Sequence, residues 1–120
     1  MRDAIMLLYD YLDVLNAAMV HNPDVDLIRD LQRLGEQSLD GAHLAVRVVP
    51  DEAQFAIRFN GKSFAMMPEE PPAPLAWRAE RSYLERVLDD PARYIDHPEK
   101  LDWEWLRAAC RALGAQKDAR

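Results

Sequence analysis

Between Leu44 and Met67, apolar and polar side chains alternate in three short runs separated by two turn signals. Successive strand residues point to opposite faces, so this alternation marks strands with one buried side. Asn60-Gly61 is the stronger turn signal, because these residues tolerate the positive φ required at both centres of a two-residue type I′ turn. A turn there pairs Phe59 with Lys62, Ile57 with Phe64 and Phe55 with Met66. Pro50-Asp51-Glu52-Ala53 reads as a four-residue hairpin loop, pairing Val48 with Phe55, Val46 with Ile57 and Leu44 with Phe59. All three runs then share one apolar face, and residues 43–67 are expected to form a three-stranded antiparallel meander. Its first or third strand is an open edge, which makes edge-to-edge homodimerisation a natural outcome. The apolar face needs cover, and only helices remain to provide it.

Helical periodicity dominates elsewhere. In residues 3–20, Ile5, Leu8, Leu12, Leu15 and Met19 make one stripe, and Leu7, Tyr11, Val14 and Ala18 a second. A helix this apolar is covered on two sides. Either it lies between the sheet and the next helix, or one stripe is a homodimer interface. Asp3 is placed to cap it. Asn22-Pro23-Asp24 starts a second helix, 23–38, with Leu27, Ile28, Leu31 and Leu34 inward. The two helices are expected to form an αα-hairpin. Gly35 costs the second helix about 1 kcal/mol relative to Ala. It either admits a neighbouring backbone or ends the helix.

Four of the seven residues 68–74 are proline, which predicts a stiff, extended connector. A third helix is expected at 75–89, with Leu84, Val87 and Leu88 inward and Trp77 on the same side. Asp90-Pro91 stops it and leads into a short turn at 92–95. The last helix, 102–113, is capped by Asp102, stapled by Leu101 against Leu106, and ended by Gly114. The expected fold is therefore one α+β domain over residues 1–120. It comprises an αα-hairpin, a three-stranded antiparallel meander, and two or three C-terminal helices packed on one sheet face.

Charge narrows the choice of partners. The net charge is −6 over 120 residues, and residues 1–42 alone hold three Lys/Arg against eight Asp/Glu. Residues 43–67 hold three against two, so the sheet region is slightly basic. An acidic chain without a basic stripe argues against nucleic acid and suits a basic protein partner. No apolar run approaches the roughly 20 residues of a membrane helix, and Asp3, Asp10 and Asp13 break up the N-terminus as a secretory signal. Cys110 is the only cysteine, so no internal disulfide can form. The expected location is cytoplasmic, with no membrane association.

Catalytic chemistry is not recognisable. HExxH, P-loop, GxGxxG, GxSxG and CxxC patterns are all missing, and four glycines leave no phosphate cradle. No cofactor and no metal are expected. His21, His43 and His97 fall at element boundaries, where histidines are solvated or capping. The most site-like cluster is Asp96-His97-Pro98-Glu99, where carboxylates beside an imidazole suit acid–base or metal chemistry. It carries the alternative reading of a small enzyme or ligand-binding protein. Cys110 sits on an apolar helical face, where an inert buried thiol is expected.

The leading expectation is a non-catalytic interaction module: an adaptor, chaperone or inhibitor of a basic protein, or a homodimer. Two features support it. The second face of the sheet presents Ala45, Arg47, Val49, Ala56, Arg58, Ser63 and Ala65, a flat platform with two arginines suited to carboxylates. Near the C-terminus, Tyr94, Trp103 and Trp105 are candidate anchors. Two tryptophans two residues apart at a helix start diverge, so one core is not expected to bury both.

Overall fold

A computed structural model describes residues 3–38, 43–67 and 75–118. The chain is α+β, and among the described residues it has five α-helices and a mixed four-stranded sheet. The helices are α1 (Ala4–His21), α2 (Asp26–Ser38), α3 (Arg81–Asp89), α4 (Pro91–Asp96) and α5 (Glu104–Asp118). The strands are β1 (His43–Val49), β2 (Ala53–Phe59), β3 (Phe64–Met66) and β4 (Leu75–Glu80), in spatial order β3-β2-β1-β4. A 3₁₀ turn at Pro98–Lys100 separates α4 from α5.

The expected meander is present as β1-β2-β3, but a fourth strand extends it. Residues 75–80 are not the start of a helix: they form β4, which pairs parallel with the outer side of β1, Val46 opposite Trp77 and Val48 opposite Ala79. The first strand is therefore interior. Leu75, Trp77 and Ala79 do alternate with Ala76, Arg78 and Glu80, but Leu, Ala, Arg and Glu are good helix formers. The backbone groups of β1 outweigh that preference, from a distance in sequence that no local pattern reports. The Pro-rich stretch 68–74 lies outside the described residues.

Both hairpin registers differ from expectation by two residues, which leaves every side chain on its expected face. Observed partners are Leu44 with Ile57, Val46 with Phe55 and Val48 with Ala53; in the second hairpin, Phe59 meets Phe64 and Ile57 meets Met66. The second turn is longer than a type I′ turn because Asn60 caps it with its own side chain. Asn60 Oδ1 accepts from the backbone N–H groups of Lys62 and Ser63, both at 2.9 Å. Gly61 supplies the positive φ, +91°.

That turn rests on α2, which explains Gly35. The helix continues through Gly35, and a Cβ there would stand 2.5 Å from Phe59 Cε2 and 2.6 Å from Gly61 Cα. Gly35 thus admits a neighbouring backbone. Gly114 does not terminate α5, which runs on to Asp118 through residues that favour helix.

Helix α1 lies against β2 and β3 and is backed by α3 and α4. Both of its apolar stripes are buried apart from Ile5, so neither is left for a dimer. The expected αα-hairpin does not form as a packed pair, since α2 packs chiefly on α5. It also starts later than expected, at Asp26. Asn22 ties helices together instead of capping α2: its Nδ2 donates to Ala18 O at 2.8 Å and to Ile95 O at 2.6 Å.

Candidate interaction surfaces

The aromatic residues expected at the surface belong mostly to the core. Trp103 is 4% exposed and Trp105 7%. The divergence argument does not apply, because Trp103 precedes the first turn of α5 and is not helical. Its indole Nε1 donates to Pro98 O at 2.7 Å, placing the ring under the 98–100 turn. Trp105 points to the sheet, where it stacks on Trp77 with centroids 4.8 Å apart and planes 3° apart. Tyr94 is half-buried on α4. Trp103 and Trp105 are thus not surface anchors.

Trp77 also contacts Tyr11 and Tyr83, with ring centroids at 5.6 and 6.1 Å. The two phenols are hydrogen-bonded, O to O, at 3.0 Å, and Tyr83 Oη accepts from the Asp102 backbone N–H at 2.8 Å. Burial is the main cause that raises both phenol pKa values; for Tyr11 the rise is large, and Tyr83 adds to it. These groups stay neutral and hold α1, α3 and the start of α5 together. Burial likewise pushes the Cys110 thiol up to about 11, so it is a poor nucleophile at neutral pH.

In the Asp96-His97-Glu99 cluster all three residues are exposed. His97 Nδ1 lies 3.5 Å from Glu99 Oε1, and both side chains are more than half exposed. Among the described residues, no group of three or more His, Cys, Asp or Glu is placed to hold a metal ion. A wide, charged groove of about 800 Å³ lies where the β1–β2 loop meets α3. Its central cation, Arg81, is held by Asp51 at 2.6 Å and by Glu85 at 2.8 Å.

The register puts Arg47 and Arg58 on one sheet face, with Ala45, Ala56 and Ala65 between and beside them. Arg47 is committed locally: its Nη2 donates to Gln54 Oε1 at 2.8 Å, and Nη1 lies 3.6 Å from Glu52. Arg58 is exposed and has no side-chain partner among the described residues. Arg78 of β4 joins this face opposite Arg47 and is equally exposed. The sequence does not reveal this neighbour, because residues 75–80 carry a helix-favouring composition.

A different surface stands out on α1. Ile5, Met6 and Tyr9 are 49%, 53% and 54% exposed and adjoin one another at helical spacing. Beside them, between α1 and the β3 edge, lies a cleft of about 160 Å³ lined by Tyr9, Leu12, Asp13, Phe64, Ala65 and Met66. Along α1, exposed Asp3 and Asp13 lie one turn from Met6 and Tyr9 respectively, and Asp13 also lines the cleft. Sequence periodicity reported how apolar α1 is, but not which flank the fold leaves uncovered. The edge of β3 is not free. Asn16 of α1 donates from Nδ2 to Phe64 O at 3.0 Å and accepts at Oδ1 from Phe64 N at 2.7 Å, as a neighbouring strand would. Pairing of β3 with a second copy would have to displace this side chain.

No helix among the described residues is long and apolar enough to cross a membrane. Compared with known proteins, the chain matches no family model, no curated protein and no solved structure.

Proposed function

We propose that this chain is a small, acidic, non-catalytic protein-interaction module that docks a basic partner on the exposed flank of α1. The observation that carries the reading is the contiguous exposure of Ile5, Met6 and Tyr9. Single apolar residues at a surface are ordinary, but adjoining large ones with a polar rim mark contact sites. The rim here is acidic, in a region whose net charge is −5. Acidic rims favour encounter with basic surfaces and discriminate against acidic ones. Of the module types, an adaptor accounts for most of the surface. Its second partner would be acidic and would meet Arg58 and Arg78 on the opposite side of the sheet.

The test is site-specific photo-crosslinking of the full chain in native extract. A photoreactive residue replaces Met6 in one protein and the exposed Arg86 of α3 in another. The expected result is a product formed only from position 6, containing a basic protein, and lost on adding Tyr9→Glu. Identical products from both positions, or none from position 6, would overturn the proposal.

A further inference from the structure

We infer that the cleft between α1 and β3 receives one cationic side chain, lysine or arginine, from an extended basic segment of the partner. This inference rests on the proposed function and specifies its contact. Size is the first argument. At about 160 Å³ the cleft falls below the roughly 300–1,000 Å³ of small-molecule sites, and suits a single long side chain. Chemistry is the second. Leu12 and Phe64 are buried and form an apolar floor, with half-buried Met66 beside them. Such a floor takes the aliphatic stem of Lys or Arg. Tyr9 and Asp13 lie one helical turn apart on the same side of α1, at the mouth. Tyr9 is exposed there, and a tyrosine ring attracts a cation over its face. The Asp13 carboxylate is exposed and has no ion pair among the described residues, so none of them competes for it.

A neutral aliphatic guest would use the floor and leave Asp13 idle; an acidic guest would meet repulsion. The hydrogen bonds between Asn16 and Phe64 decide the mode of entry. They occupy the outward backbone groups of Phe64, so the guest enters through its side chain and not by adding a strand at that position.

The probe is the blocked pentapeptide Ala-Val-Arg-Val-Ala, titrated into the ¹⁵N-labelled full chain at low salt and followed by amide chemical shifts. Shifts are expected at Tyr9, Asp13 and Phe64–Met66. Replacing the arginine by its neutral isostere citrulline, or Asp13 by Asn, is expected to weaken binding about tenfold, the loss of one charge-assisted contact. Asp13→Lys should reverse the preference and favour the same peptide carrying glutamate in place of arginine. Scattered or absent shifts, equal binding of the citrulline peptide, or indifference to both Asp13 variants would overturn the inference. The crosslink from position 6 separates the two claims. If it persists while the peptide fails, the module reading stands and the cleft assignment falls.

Discussion

At one edge of the sheet, β3 meets a polar side chain: the Asn16 amide both donates to and accepts from the backbone of Phe64. At the other, β4 is held by aromatic packing, with Trp77 stacked on Trp105 and set against Tyr11 and Tyr83. The first edge is short, and one side chain imitates a strand there. The second is a six-residue strand whose inward, half-buried ring packs against the core. Occupied or covered edges are the usual defence against unwanted strand pairing. The Asn16 amide blocks the β3 edge in this way, whereas the β4 rings pack on the sheet face. The two attachments also differ in what each costs to lose. The polar contact is worth a hydrogen-bond pair, and the aromatic stack the packing of one half-buried indole.

Four substitutions order that comparison. Trp77→Ala is expected to be the most damaging, at about 3 kcal/mol, by removing the ring between Tyr11 and Trp105. Chemical denaturation should show the lower midpoint, and near-UV circular dichroism should lose the stacked-indole signal. If the variant keeps wild-type stability, the aromatic staple is not what holds β4. On the β3 side, Gly35→Ala is expected to cost about 2 kcal/mol, because its Cβ would meet Gly61 and Phe59 inside contact distance. Thermal unfolding measures this, and neutrality would show that the turn does not rest on α2. Asn16→Ala should cost between about 1 and 2 kcal/mol by leaving both Phe64 groups without their partners. Hydrogen exchange should quicken at the Phe64 amide and not at the β4 amides.

The smallest effect belongs to the phenols of the β4 side. Tyr11→Phe should cost about 1 kcal/mol at neutral pH, one hydrogen bond. Its more telling signature is at alkaline pH. Both phenols have raised pKa values in the folded state, so the unfolded chain loses these protons first. Their contribution is therefore complete below about pH 10, the ordinary tyrosine value, and is lost as pH rises toward the folded-state values. Wild-type stability should fall above pH 10, and more steeply than that of Tyr11→Phe. Parallel slopes would show that Tyr11 ionises no differently in the two states.

The contrast between the edges also separates what local patterns report from what they miss. The meander was legible because period-two alternation and turn residues act over few positions. Its registers were legible only in parity, since Asn60 lengthens its turn with a side-chain acceptor that no dipeptide rule includes. Strand β4 was not legible. Its partner lies about 30 residues away in β1, and its own composition favours helix. With β4 went Arg78, and with the helical reading of Trp103 went the correct placement of both C-terminal tryptophans. The α1 flank was half legible. Leu8 and Leu12 read correctly as core, but exposure of Met6 and Tyr9 depends on where α3, α4 and β3 stop, which is a property of the assembled fold.

The parallel ladder between β1 and β4 has a consequence for synthesis on the ribosome. Strand β1 is translated before β2 and β3, yet the strand on its other flank ends at Glu80 and emerges last of the four. Until then the nascent chain carries a seven-residue strand with one bare side. Chains released early, near residue 70, should therefore be the ones that cells must shield or degrade, while full-length chains close without help.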